Sequence, residues 1–241
     1  MKDISFTFST NRLLAQKPIY GKIEDFEFEI KQPTLFSLEN QSVVEFISFL
    51  ESDIEKYKKA LGSDYFDDHF DLIILLLTLN KKNESIKQIS SSVLEGFQYF
   101  IPEINFNAIL KIKDKVVTKR IFYKIIEIIF KMFDKKYIYI KEEDDEFTKR
   151  EKQAKIRAMN IRANAKEKRG LKKTERGTLE KMLGGILYEF PQYKLEDLFE
   201  LNLYTVYYLF SFVGKIANYE ISKIAYGNGL LKRGKHKHFT E

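Results

Sequence analysis

The chain has no cysteine, no tryptophan, three histidines and four prolines in 241 residues. Without cysteine there can be no disulfide, no thiolate nucleophile and no cysteine-ligated zinc or iron–sulfur cluster. His69, His236 and His238 are too few and too scattered for a histidine-rich metal site. No apolar run reaches the roughly 18 residues needed to span a bilayer as a helix. The longest candidate, residues 72–79, has eight residues and reads as a buried segment. The first ten residues lack a basic stretch followed by an apolar one, so no secretory leader is expected, and the protein is expected in a cytoplasm.

Catalytic signatures are also missing. No G-x-x-x-x-G-K-[ST] loop occurs, and Gly227-Asn228-Gly229 reads as a turn or helix C-cap. Asp64, Asp67, Asp68 and His69 form the run D-Y-F-D-D-H, which has the donors for a divalent cation. The simpler reading is a helix N-terminus, where carboxylates are favoured by the helix dipole. No paired acid and base, no Ser/His/Asp set and no metal-ligand spacing points to an active site. The expectation is a non-enzyme with no cofactor and no bound metal.

What is present is apolar and aromatic. Hydrophobic residues make up 44% of the chain, with 21 Phe and 14 Tyr, enough for a substantial core. The net charge of +6 is unevenly placed. Residues 142–146 are five consecutive acids, whereas residues 149–176 hold twelve basic side chains against three acidic ones. That basic segment has almost no apolar stripe, so it cannot bury a face on its own domain. It is a solvated helical arm or linker, a disordered stretch, or a helix lying against an acidic partner.

Periodicity divides the chain. Ile4, Phe6 and Phe8, then Phe26, Phe28 and Ile30, alternate as strands do, and Pro33 stops the last of them. Residues 1–36 therefore form a small antiparallel piece or an arm adding strands to a neighbour's sheet. Residues 37–103 switch to helical spacing: Val43, Phe46, Ile47, Leu50, Ile54 and Tyr57 in one helix, a second over 66–79, and a third over 84–97 closed by Gly96 and Pro102. Residues 104–141 read as an α/β insert. Its helix covers 118–133, and a strand at Tyr137-Ile138-Tyr139-Ile140 is expected to pair near Phe106. Residues 142–177 are the charged arm. The whole is mainly α with a small β portion.

Residues 178–241 carry three helical patterns separated by Pro191 and Asn202. Leu179, Met182, Leu183, Ile186 and Leu187 share one helix face, with Thr178 as N-cap, and Gly184-Gly185 permits close approach of another backbone. Leu195, Leu198 and Phe199 face inward on a short second helix. Asn202 caps a third, with Val206, Leu209, Phe210, Val213 and Ala217 as an apolar stripe.

Phe190-Pro191-Gln192-Tyr193, Leu195-Glu196-Asp197-Leu198, Leu201-Asn202-Leu203-Tyr204, Leu209-Phe210, Glu220 and Ala225-Tyr226-Gly227 together resemble the C-terminal module of tail and baseplate assembly proteins of phages infecting low-GC Gram-positive bacteria. Asn202 stands where those proteins carry a capping Thr, and Thr205-Val206 replaces their Gln-Leu. Ile30-Lys31-Gln32-Pro33-Thr34 resembles the short strand and turn that opens many of them, and Lys237-His238-Phe239 resembles their ending without its Trp. The resemblance implies a structural component or assembly chaperone of the baseplate hub. Such a protein would work in the host cytoplasm, with a place in the virion, and bind other tail proteins in a multi-copy assembly. Tyr193, Leu198, Tyr204, Tyr208 and Phe210 are the expected partner contacts, extended by Lys155, Arg157, Arg162, Lys166 and Arg169 of the basic arm. The alternative is a nucleic-acid-binding regulator that neutralises phosphates with residues 149–176. Those residues lack interleaved aromatics for base stacking.

Overall fold

A computed structural model describes residues 4–61, 65–79, 84–135, 137–138, 144–168 and 174–227. Within these, the side chains at 84–85, 157, 159–160, 162–168, 174–178 and 225–227 lie outside the description. The fold is mainly α-helical with two small three-stranded antiparallel sheets. The first sheet has the order β1 (Ile4–Phe6), β2 (Ile19–Ile23), β3 (Phe26–Ile30), and a short helix α1 (Thr10–Leu14) bridges its first two strands. Ile4 pairs with Ile23 and Ile19 with Ile30. Ile4, Ile19, Ile23, Phe28 and Ile30 are all buried in the chain's own core. The N-terminal alternation therefore makes a sheet within this molecule rather than an arm on a neighbour's.

A 3-10 turn (Leu35–Glu39) leads into α2 (Gln41–Glu51), whose first turn is capped by Asn40 Oδ1 accepting from Ser42 N at 3.0 Å. The single helix expected through Tyr57 is broken at Ser52-Asp53, and α3 (Ile54–Leu61) starts afresh there. Asp53 Oδ1 accepts from Glu55 N at 3.1 Å. Two more helices follow, α4 (His69–Leu79) and α5 (Glu84–Phe100). Gly96 does not close α5. It sits inside the helix where α2 crosses it, and Phe46 stacks on Phe97 with centroids 5.1 Å apart.

The second sheet is β4 (Ile104–Asn107), β5 (Ile109–Ile112) and β6 (Lys115–Val116). Its Ile104, Leu110 and Ile112 point inward. Thr118 then caps α6 (Lys119–Met132), with its hydroxyl accepting from Ile121 N. Ile121, Phe122, Ile125, Ile126 and Ile129 of α6 are fully buried. Tyr137 and Ile138 are not a strand, which corrects the expected pairing near Phe106; positions 139 and 140 lie outside the described residues. The reason is aromatic packing. The Tyr137 ring lies 4.8 Å from Phe130 and 6.1 Å from Tyr123, and that fixes it against α6 instead of a sheet edge.

The charged segment forms α7 (Glu146–Lys168), started by Asp145 Oδ1 accepting from Thr148 N at 2.7 Å. The last three helices are α8 (Thr174–Glu189), α9 (Leu195–Glu200) and α10 (Leu203–Gly227). Helix α8 begins at Thr174, so Thr178 is inside it and is not its N-cap. On α9, Leu198 is buried, but Leu195 is 48% exposed and not inward.

Candidate partner-docking surface

The acidic run proves to be a structural joint. Asp68 and Asp71 both reach Lys119 Nζ, at 2.5 and 3.1 Å, and Asp67 reaches Lys58 Nζ at 3.4 Å. Asp64 lies outside the described residues. Among the described residues no group of His, Asp and Glu has the arrangement to hold a metal ion. His69 Nε2 lies 3.1 Å from the Ser52 carbonyl and Nδ1 lies 3.1 Å from the Tyr137 hydroxyl. A carbonyl can only accept, so Nε2 carries the proton and Nδ1 accepts from Tyr137. Burial among Phe49 and Tyr137 pushes the imidazole down to about 4, against the weaker upward pulls of the Ser52 carbonyl and Asp68.

That shift has a sign. The unfolded chain protonates His69 below its ordinary pKa near 6.5, whereas the folded chain resists protonation until about pH 4. Stability should be complete above pH 6.5 and fall through the window from 6.5 to 4, by roughly 3 kcal/mol for this group. Urea unfolding at several pH values is the measurement, with His69→Gln as the comparison. The variant's curve should be flatter than the wild type's across that window, and parallel curves would contradict the assignment.

The C-terminal helices are locked to the N-terminal sheet by one buried side chain. Asn202 is 3% exposed. Its Oδ1 accepts from Thr205 N at 2.8 Å, the N-cap bond of α10. Its Nδ2 donates to Leu13 O at 2.6 Å and to Gln32 Oε1 at 2.7 Å. Leu203 N donates to Pro33 O at 2.8 Å, Thr34 pairs with Asn202, and Phe36 packs on Phe199 at 5.2 Å. Ile186, Leu198, Leu203 and Val206 complete the buried base.

Above that base the helices are open. From Phe210 onward no described residue of α10 is fully buried. Gly185 of α8 faces Val213, and a Cβ there would lie 3.3 Å from Val213 Cγ1, so the expected close approach occurs at Gly185; Gly184 has open space. Tyr188 is 84% exposed, and Ile221 and Ile224 are 65% and 61% exposed. Tyr208 rests on Phe212 at 4.9 Å, with Lys215 Nζ over the Phe212 ring.

Of the expected contacts, Tyr208 and Phe210 are exposed and Tyr193 and Tyr204 are half-buried. Leu198 is fully buried and is corrected to a core residue, because the short helix α9 must anchor itself through it. Lys155 is exposed and paired with Glu151 at 2.6 Å. The side chains of Arg157, Arg162 and Lys166 lie outside the description, and Arg169 lies outside the described residues. Periodicity alone did not find the exposure of Ile221 and Ile224. The usable signal was the continuation of apolar 3–4 spacing past Val213, beyond the length α8 can cover.

Comparison of the chain with protein-family models, with curated proteins and with solved structures gave no match. No helix among the described residues is long and apolar enough to cross a membrane.

Proposed function

We propose that this protein works by docking other proteins, as a structural or assembly component of a phage tail baseplate. The observation that carries the docking reading is the helix α10, rooted in the core at Leu203 and Val206 and apolar on surfaces left exposed among the described residues. Apolar surface of this kind is retained in proteins that bury it against a partner. The tail assignment is supported by the place where two resembling segments meet: Gln32 and Pro33 of the N-terminal pentapeptide bond directly to Asn202 and Leu203 of the C-terminal module. A likeness split across the sequence thus coincides with one physical joint. The nucleic-acid alternative gains less support, since Lys149, Lys152 and Lys155 each already face a carboxylate.

The outward strip of Tyr208, Phe212 and Lys215 is the first surface to test. An affinity-tagged chain recovered from infected cells should carry tail or baseplate proteins with it. Tyr208→Ala should reduce that recovery about tenfold, the effect of one aromatic contact of roughly 1–2 kcal/mol, while moving the thermal midpoint by less than about 2 °C. Recovery of nucleic acid in place of protein, released steeply by salt and lost when the basic residues of 149–176 are neutralised, would replace this reading with the alternative.

A further inference from the structure

Five residues of α10 follow a strict four-three-four-three spacing: Phe210, Gly214, Ala217, Ile221 and Ile224. At 100° per residue they fall on one stripe about 80° wide. All five are apolar or glycine and all five are exposed. This is the a/d spacing of a coiled-coil seam, and among the described residues it is left exposed. Val213 meets α8 at Gly185, and the edge of the Phe210 ring also borders that glycine, 3.8 Å from where its Cβ would be, so the seam adjoins α8 at its first residue and is open beyond it; Tyr208 lies about 160° from the centre of the seam.

We propose that this seam pairs with the same seam of a second copy, the two α10 helices running antiparallel. The order of side-chain sizes selects that occupant. In an antiparallel pair each a layer faces a d layer, so Phe210 meets the partner's Ile221 and Gly214 meets the partner's Ala217. Large, small, small, large then reads the same from both chains. The two central layers let the backbones come close, and the two outer layers fill the space beside them. A Cβ on Gly214 would meet nothing within 4 Å, so the surface over that turn is open to a neighbouring backbone.

A parallel pair would set Gly214 against Gly214 and Phe210 against Phe210, leaving a hole beside a clash. The flanks agree with the antiparallel pairing. Ser211 faces the partner's Asn218 on one side, and on the other, where Val213 is already covered by α8, the partner's Glu220 meets no acidic residue, so no two like charges are opposed. Lys215 and Lys223 lie outside the contact. The four paired layers run about 16 Å, Ile224 falls beyond them opposite the partner's Tyr207, and the pair would bury on the order of 500 Å² per copy, so it is weak, with a dissociation constant in the micromolar range. This inference goes beyond the tail assignment, since it concerns the chain alone, and it leaves the Tyr208 face free for a different protein.

The test uses purified full-length protein, so its failure and the failure of the tail reading are separable. Sedimentation up to about 100 µM should show a monomer–dimer equilibrium, and Ala217→Glu should weaken it by a hundredfold or more by placing a charge in the central layers. The thermal midpoint of the dilute variant should stay at the wild-type value, because Ala217 is exposed in the monomer. Orientation follows from disulfides, which this cysteine-free chain reports without background. F210C mixed with I221C should form cross-linked dimers under mild oxidation. Neither should do so alone, because like positions in the antiparallel pair lie about 16 Å apart. A protein that stays monomeric throughout that range overturns the proposal. So does cross-linking of F210C with itself and not with I221C.

Discussion

Asn202→Ala is expected to destabilise the protein by about 2 kcal/mol, the largest single-residue loss anticipated in its C-terminal half. The reasoning is a count of what the side chain satisfies. Loss of the Oδ1 bond to Thr205 N removes the N-cap of α10, worth about 1 kcal/mol. Loss of Nδ2 removes the 2.6 Å donor from the buried Leu13 carbonyl, and a lost buried hydrogen bond costs a further ~1 kcal/mol. Gln16 N, at 3.0 Å, and Thr205 Oγ1, at 3.4 Å, stay on that carbonyl. Gln32 loses a partner too, but it is less enclosed and water can replace it.

Asn202→Asp sharpens the test. It keeps the capping oxygen yet turns a second carboxylate oxygen toward two acceptors, so it should be at least as damaging as alanine. Chemical denaturation gives the free energies. Hydrogen exchange gives the location: protection should fall first in the opening turn of α10 and in α1. If aspartate restored full stability, the joint would be a cap alone and the bonds to Leu13 and Gln32 would count for little.

Asn202 also marks the boundary of what the sequence could show. Its capping role was readable from a polar residue followed by a helical apolar pattern, a relation spanning three positions. Its bonds to Leu13 and Gln32 span 189 and 170 positions, and no local pattern encodes them. The same division runs through the rest of the fold. The alternation at Ile4, Phe6, Phe26 and Phe28, and the helix behind Thr118, depend on neighbours and were legible. The break at Ser52-Asp53 was not, because Ile54 and Tyr57 keep the helical phase across it. Tyr137 looked like a strand residue because β-branched and aromatic neighbours favour strands, and the ring contacts with Phe130 and Tyr123 override that preference. The exposed apolar surface of α10 was half legible. Spacing identified an apolar stripe on α10, but periodicity reports that a face is apolar and says nothing of what covers it, so it set the buried Val206 on one stripe with Phe210 and Ala217, which are exposed.

Gly96 and Gly184 offer an experiment in which the same substitution should have opposite signs. Both lie inside helices, where alanine is favoured over glycine by about 1 kcal/mol. Gly184 faces open space, so Gly184→Ala should stabilise the protein by up to that amount. Gly96 is where α5 passes against α2. A methyl group there would overlap Phe46 Cβ and the Ser42 carbonyl oxygen, the first carbon of a buried side chain and an atom of the backbone. Neither can swing aside as a flexible chain end would. Phe46 is pinned between Phe97 and Phe100, and Ser42 stands in the first turn of α2, held by Asn40. Helix α2 must therefore shift bodily, which also separates the Phe46–Phe97 stack. Overpacking of this kind costs more than the propensity gain returns, and Gly96→Ala should lose about 2–4 kcal/mol net. For a chain of this length that lowers the thermal midpoint by roughly 5–12 °C. Measuring both variants in one background separates helix propensity from helix crossing: a stabilised Gly96→Ala would mean that α2 and α5 do not cross at this glycine.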